Sequence, residues 1–123
     1  METMNPECTL CRTMDYLAKK WTIMLLFELW KGDENQWKRF SEIRESMKEI
    51  TPKILSERLK ELEEEGLVIK RVDVSSFPIK SEYKLTEAGE ALVEAVRPIK
   101  TWALKWKISN EICLIQDCRS CKL

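Results

Sequence analysis

Apolar residues recur along most of the chain at the three- and four-residue spacing of amphipathic helices. This spacing predicts a first helix over about residues 12–19 and a second over residues 21–31. The second helix is marked by four apolar residues, Ile23, Leu26, Phe27 and Trp30. Gly32 follows it, as expected of a residue that ends a helix. Two consecutive helices are therefore predicted near the start of the chain.

The clearest helix start lies at Thr51 and Pro52. A threonine hydroxyl can accept a backbone hydrogen bond as the N-cap, and proline suits the first helical position, where its missing N–H is not needed. The predicted buried stripe of this helix consists of Leu55, Leu59 and Leu62. Gly66 ends the helix after Glu65, so the segment 51–65 is predicted as one amphipathic helix.

Short elements are predicted on either side of this helix. Residues 36–40 are compatible with a short strand, and a short helix is then indicated by the spacing of Phe40, Ile43 and Met47. After the 51–65 helix, residues 67–74 are rich in β-branched side chains and alternate in polarity, which predicts a strand. A turn at 75–78 leads to a second strand at 80–85. The two strands form a predicted hairpin with a polar, flexible tip.

A long helix is predicted after the hairpin, with Thr86 as its cap. Its apolar residues step by four and three positions: Leu92, Val96, Ile99, Ala103 and Trp106. This is the spacing of a seam that packs against another helix. Pro98 is predicted to kink the helix, because proline lacks a hydrogen-bond donor and crowds the carbonyl of Glu94.

The composition excludes several classes of protein. The chain of 123 residues has no histidine, which removes histidine-based nucleophile pairs, general bases and zinc hydrolysis. Its three glycines form no phosphate-binding loop, so we expect that it is not an enzyme. Lys and Arg balance Asp and Glu at 21 each, so any DNA contact must come from local charge. We see no secretory signal or membrane span and expect a cytoplasmic protein without membrane partners.

The order of elements predicts a mainly α fold with a small β-hairpin (α+β), namely a winged helix-turn-helix followed by a helix suited to dimerisation. Here the chain resembles the HxlR family of transcription regulators. The resemblance covers Cys8 to about Trp106 and rests on residues 8–22, 39–44, 51–62 and 82–89. It implies DNA binding and a dimer interface built from the first and last helices. This chain departs from the family in the hairpin, where Ile79 and Ser81 replace a usual proline and valine.

Candidate DNA contacts lie mainly on the polar side of the 51–65 helix, because positive charge and a helix N-terminus attract phosphates and guanine edges. On this helix they are Thr51, Pro52, Lys53, Ser56, Glu57 and Lys60. Arg39 and Arg44 flank the helix expected to cross the DNA backbone. At the hairpin, Ser75, Ser76 and Lys80 suit phosphate or minor-groove contact. The predicted partner is double-stranded DNA with a pseudo-palindromic operator.

A homodimer is expected because a single such module makes few contacts for site-specific binding. The predicted interface consists of Leu92, Val96, Ile99, Trp102, Ala103 and Trp106. We therefore predict one winged-helix domain over 1–123, with a core at about 12–86, a dimerisation helix at about 86–107 and a cysteine-containing tail at 108–123. The alternative is that the seam packs within its own subunit.

Five cysteines, all predicted to lie outside the winged core, leave several alternatives open: Cys8, Cys11, Cys113, Cys118 and Cys121. The family resemblance favours redox sensing at Cys8, with Cys11 beside it. All five together could instead bind zinc or an iron-sulfur cluster, if both ends of the chain meet. Idle thiols or structural disulfides are a third alternative. No cofactor is certain, and two rival functions remain: a winged-helix protein-interaction module, and an iron-sulfur or CxxC redox protein.

Overall fold

A computed structural model of the chain describes residues 7–32, 36–75, 77–115 and 117–120. Within these ranges the helices are α1 (Thr9–Leu17), α2 (Thr22–Trp30), α3 (Phe40–Ser46), α4 (Pro52–Glu64), α5 (Glu87–Val96), α6 (Pro98–Trp106) and α7 (Glu111–Ile115). The strands are β1 (Lys38–Arg39), β2 (Val68–Asp73) and β3 (Lys80–Leu85), and a 3₁₀ turn covers Cys118–Ser120. The mainly helical fold class with a small antiparallel sheet is confirmed.

The predicted helix starts are confirmed at α4 and shifted at α1. The Thr51 hydroxyl oxygen accepts a hydrogen bond from the backbone N–H of Ile54 at 3.2 Å, and Gly66 has a positive φ of 76° after the helix. Helix α1 begins at Thr9, three residues before the predicted start. It starts earlier because the Cys8 sulfur accepts a hydrogen bond from the Cys11 N–H and so caps the helix.

The three strands form one antiparallel sheet in the order β1, β3, β2. Strand β1 has only two residues, and Lys38 lies opposite Tyr83 of the central strand. In the hairpin, Val68 lies opposite Leu85 at the base and Asp73 lies opposite Lys80 near the tip. The hairpin β2–β3 is the wing of the fold.

The core joins α2, α3 and α4 to the base of the wing. Leu25, Ile43 and Leu55 come from these three helices and are almost completely buried, as are Val68 of β2 and Val93 of α5. A fully buried aliphatic side chain contributes roughly 1.5–3 kcal/mol to folding. The predicted stripe of Leu55, Leu59 and Leu62 is buried throughout, which leaves the opposite side of α4 exposed.

The helix predicted after the wing is interrupted next to Pro98, as predicted, and the structure divides it into two helices joined through Arg97, which keeps helical backbone angles (φ −51°, ψ −38°). Helix α5 ends at Val96, and α6 starts at Pro98. The interruption falls where Pro98 has no N–H to donate to the carbonyl of Glu94. Leu92, in α5, packs against the core of its own subunit, whereas Ile99 and Trp102, in α6, are exposed.

The prediction that all five cysteines lie outside the winged core is also wrong. Cys118 packs against the core, and the neighbouring Arg119 guanidinium lies 4.5 Å from the ring centroid of Trp30. The Arg119 carbonyl accepts a hydrogen bond from the Gly32 N–H at 2.9 Å, and its side chain pairs with Glu90 at 3.4 Å. Contacts between residues so distant in sequence leave no periodic signal, so the packing of the tail against the core could not be predicted from the pattern of apolar residues.

The described part of the wing tip exposes apolar side chains next to the polar Ser75. The Phe77 side chain is 100% exposed, Val74 77% and Ile79 62%. These residues lie at the end of the hairpin, where no second layer of the fold packs over the described part of the tip. Among the described residues, no helix is both long and apolar enough to cross a membrane.

Candidate nucleic-acid interface

The exposed side of α4 carries the predicted DNA contacts of this helix. Thr51, Pro52, Lys53, Ser56, Glu57 and Lys60 are all exposed. Lys53, Ser56 and Lys60 follow one another at three- and four-residue spacing and so share one side of the helix. Free N–H groups and the helix dipole make the N-terminal turn attractive to anions, whereas Glu63, Glu64 and Glu65 make the other end repulsive. The first half of α4 can therefore approach a duplex more closely than the second.

A groove of about 810 Å³ separates α3 from the start of α4. Arg44 and Lys48 line it together with Thr51 and Pro52, but three carboxylates line it too, those of Glu42, Glu45 and Glu49, so the groove has no excess of positive charge. Lys48 is missing from the predicted contacts, although its four-residue spacing from Arg44 could have identified it. Arg39 is half-buried, and its backbone N–H donates to the Glu42 carboxylate at 3.2 Å.

Arg58 of α4 is occupied by contacts inside the subunit. Its Nε donates to the Lys20 carbonyl at 3.0 Å, and its Nη1 lies 3.1 Å from Oε1 of Glu61. The other Glu61 oxygen, Oε2, is 3.2 Å from Nζ of Lys19. This set of contacts, which we call the α1–α4 clasp, fixes the flank of α4 to the turn that follows α1.

The wing brings Ser75 and Lys80 to the far end of the sheet. Ser75 is exposed, but both its N–H and its hydroxyl donate to the Asp73 carboxylate. Lys80 is half-buried at the start of β3, and Ser76 lies outside the described residues. Closer to the base of the wing, the Trp37 ring contacts two cations, with the Arg71 guanidinium carbon 4.3 Å and Lys84 Nζ 5.1 Å from its centroid.

Cys8 and Cys11 lie together at the N-terminus of α1. The Cys11 N–H donates to the Cys8 sulfur at 3.3 Å, and this hydrogen bond is the main reason that the pKa of Cys8 is lowered from its usual value. The pKa of Cys11 is raised, first by its side-chain hydrogen bond to Cys8. A thiol with a lowered pKa provides more thiolate, which is the nucleophilic form. On this ground we expect Cys8 to be the more reactive of the two.

The tail cysteines are not gathered around a metal site in the described part of the chain. The Cys118 sulfur is 3.2 Å from Lys100 Nζ, and the backbone N–H of Cys113 donates to the side chain of Asn110. No group of three potential ligands converges among the described residues, and Cys121 lies outside them. A zinc or iron-sulfur site in this chain thus stays a prediction.

Exposed apolar side chains cover parts of α1 and α6. In α6, Trp102 is 54% and Trp106 64% exposed, and Ile99 is exposed next to them. In α1, Leu10 and Met14 are exposed one helical turn apart. Of the remaining predicted interface residues, Leu92, Val96 and Ala103 are half-buried in their own subunit.

Comparison with known proteins matches this arrangement to one family. A family model described as HxlR-like helix-turn-helix matches residues 16–111, from α1 to the start of α7. YvaP of Bacillus subtilis (strain 168), an uncharacterised HTH-type transcriptional regulator, is 40% identical over 95 residues, which are 77% of this chain and 83% of YvaP.

Two solved structures extend the likeness to three dimensions. The reduced form of the transcriptional regulator YodB from B. subtilis is 32% identical, with a TM-score of 0.68, and the match covers 85% of this chain and 98% of YodB. The redox regulator HypR in its oxidised form is 33% identical, with a TM-score of 0.67, and the match covers 82% of this chain and 99% of HypR. YodB has also been solved after diamide treatment and with bound quinone. These relatives are regulators rather than enzymes.

Proposed function

The chain belongs to the HxlR-like helix-turn-helix family of transcriptional regulators, and we propose that it acts as a homodimer on a pseudo-palindromic operator and responds to thiol oxidation. One observation carries the DNA-binding part of the proposal. The exposed side of α4 runs along Lys53, Ser56 and Lys60, while the opposite side of the helix is buried. An exposed amphipathic helix of this kind fits the major groove, where lysine and serine can contact base edges and phosphates.

The test is a double substitution on this face. Duplexes that the wild-type protein selects from a random pool serve as the probe, and Lys53→Ala with Ser56→Ala is expected to weaken binding to them by about 100-fold, because each good base contact contributes about 1–3 kcal/mol. Lys107→Ala with Ser109→Ala is the matched control. It removes the same groups from exposed positions outside α4 and outside the exposed apolar patches of α1 and α6. Unchanged binding by the Lys53/Ser56 variant would refute α4 as the recognition helix.

The homodimer is proposed to form through α1 and α6. Trp102 and Trp106 offer large apolar surfaces that water would otherwise contact, and Leu10 and Met14 offer a second apolar patch. Replacing both tryptophans by glutamate should give a monomer in sedimentation experiments, whereas Thr101→Glu, also exposed on α6, should leave the dimer intact. A wild-type protein that sediments as a monomer at micromolar concentration contradicts this part of the proposal.

Signal entry is proposed at Cys8 and Cys11. The Cys8 thiolate attacks one sulfur of a low-molecular-weight disulfide and releases one thiolate; the Cys11 thiolate then attacks the Cys8 sulfur of the mixed disulfide and releases the second. The two cysteines together lose two electrons as the Cys8–Cys11 disulfide forms. The low-molecular-weight disulfide is reduced to two thiols. Because the α1–α4 clasp joins the turn that follows α1 to α4, a rearrangement of α1 can change the placement of the recognition helix. YodB and HypR, each solved in a defined redox form, support this choice.

Thiol counting and DNA binding test the redox response together. Oxidised glutathione should release the wild-type protein from its selected duplex and remove two free thiols, and Cys8→Ser should abolish both effects. Cys113→Ser is the control, and it should respond like the wild type. If anaerobically purified protein instead holds stoichiometric zinc or iron that is lost in the variants of Cys8, Cys11, Cys113, Cys118 and Cys121, the cysteines act through a metal site and the disulfide proposal is wrong.

A further inference from the structure

Lys100 and Cys118 bring an amine and a thiol into contact where the tail meets α6. Lys100 lies in the first turn of α6, and Cys118 begins the 3₁₀ turn of the tail. The Lys100 Nζ donates a hydrogen bond to the Cys118 sulfur over 3.2 Å, although the two residues are 18 positions apart in the sequence. Cys118 is a free thiol. A nitrogen that can act as a nucleophile therefore lies next to a sulfur that can be oxidised.

The neighbouring residue, Arg119, holds the sulfur at this place. The Arg119 carbonyl accepts a hydrogen bond from the Gly32 N–H at 2.9 Å. Its guanidinium carbon lies 4.5 Å from the ring centroid of Trp30, and its Nη2 lies 3.4 Å from a carboxylate oxygen of Glu90. Cys118 itself packs against the hydrophobic core. Two groups that the fold already holds in contact react without most of the entropy cost of meeting.

The space beside the sulfur can admit a small oxidant. Lys100 and Cys118 both line a cavity of about 640 Å³, and Pro98, Leu104 and Leu114 form its apolar walls. Cys118 is half-buried, so part of its surface is open to solvent. Thiols with this access are oxidised to sulfenic acids, and a sulfenic acid condenses with a nearby thiol or nitrogen. For Cys118, the nitrogen in contact is that of Lys100.

We propose that Lys100 and Cys118 form a reversible sulfenamide crosslink when the protein meets a hydroperoxide. The Cys118 thiolate attacks the terminal oxygen of the hydroperoxide, the O–O bond breaks, and the departing oxyanion takes a proton from water. The neutral Lys100 amine then attacks the sulfur of the sulfenic acid. The S–O bond breaks, and water leaves with one proton of the amine. The sulfur loses two electrons, and the hydroperoxide gains them.

The crosslink adds a second redox response to the one proposed at Cys8 and Cys11, with a different oxidant and a different product. It joins α6, which carries the exposed Trp102, to a tail that Arg119 fixes to α2 and α5. The bond closes a loop between positions 18 residues apart. As for a disulfide that closes a loop of this length, the melting temperature should rise by roughly 12 °C.

Peptide mass spectrometry after treatment with hydrogen peroxide tests the crosslink directly. Trypsin should no longer cleave after Lys100, because its amine is blocked. Without reductant, fragment 85–105 should therefore be joined to fragment 108–119, and the joined pair should be lighter by two hydrogen atoms than the two separate fragments. Dithiothreitol should separate them, because a thiol attacks the sulfur of the sulfenamide and releases the amine.

Three variants assign the two reacting atoms. Cys118→Ser and Lys100→Arg should each abolish the joined pair and the rise in melting temperature. Lys100→Arg keeps the positive charge and removes only the primary amine. Lys105→Arg is the matched control, since it removes an amine from the same helix and the same cavity, and it should crosslink like the wild type.

Several results would overturn the proposal. Oxidised wild type without the joined pair rejects it, whether Cys118 stays a sulfenic acid or forms a disulfide with Cys121 that Cys121→Ser removes. A joined pair with one additional oxygen atom shows an N–O–S bridge and rejects the sulfenamide step. A joined pair that persists in Lys100→Arg assigns the nitrogen to another residue. The measurement needs no DNA, so it is independent of the outcome for α4 as the recognition helix.

Discussion

Gly89→Ala tests the packing of the wing against α5. Gly89 is buried in α5, and a Cβ atom at this position would lie 2.2 Å from the carbonyl oxygen of Leu67 and 3.1 Å from a methyl carbon of Leu85. The Leu67 oxygen belongs to the backbone and already accepts a hydrogen bond from the Thr86 N–H at 3.0 Å. It cannot turn away as a flexible side chain could, so the start of the wing must shift by about 1 Å to restore ordinary contact distances.

The expected loss of stability combines two opposing effects. Overpacking against a rigid neighbour costs about 3 kcal/mol, at the upper end of the usual range, and alanine returns about 1 kcal/mol through its better helix propensity. We expect a net loss of about 2 kcal/mol, which lowers the melting temperature of a domain of this size by roughly 8 °C. Thermal unfolding followed by circular dichroism at one fixed protein concentration measures the change.

Ala91→Gly is the matched control for Gly89→Ala. Ala91 is exposed on the same helix, so this substitution reports the helix-propensity effect alone and should cost about 1 kcal/mol. If Gly89→Ala is as stable as the wild type or more stable, the close approach of α5 to Leu67 is not as the structure has it, and the packing argument fails.

Three further predictions concern the cap, the first thiol and the tail. Thr51→Ala should destabilise the protein by about 1 kcal/mol while Thr51→Ser changes little, and equal melting temperatures would contradict the cap. Because the pKa of Cys8 is lowered and that of Cys11 raised, alkylation by iodoacetamide should reach half its maximal rate at a lower pH for Cys8, and identical pH profiles in site-resolved mass spectrometry would disprove this. Arg119→Ala should speed thermolysin cleavage near the tail and cost about 1 kcal/mol, because it removes the cation–π contact with Trp30. The exposed Arg12→Ala is the control, and equal cleavage rates would argue against the contact.

Local signals account for the elements that were predicted well. Helix α4 has a threonine cap, a proline at its first position, a leucine stripe and a terminal glycine, and all four agree with the structure. Pro98 likewise marked the place where the long helix is interrupted, because a missing N–H acts on its own helix whatever surrounds it.

Features that depend on tertiary contacts could not be predicted in this way. The left-handed backbone of Trp21, with φ of 79°, is unusual for a tryptophan and occurs where the chain turns from α1 into α2. The stack of Arg119 on Trp30 joins residues far apart in sequence, as does the hydrogen bond from Arg58 to the Lys20 carbonyl. At the candidate site, the leucine stripe predicts which α4 side chains are exposed. The exposure of the apolar side chains at the wing tip depends instead on which other parts of the fold pack against the tip.

The α1–α4 clasp also limits how the recognition helix can be reused in protein engineering. Arg58 and Glu61 hold α4 through Lys19 and Lys20, which belong to a different part of the chain. A transplant of residues 51–65 alone into another scaffold would leave both side chains without their anchors, and the grafted helix would settle at an angle set by its new host. A chimera meant to keep the base preference of this helix should therefore carry the turn at 18–21 with it.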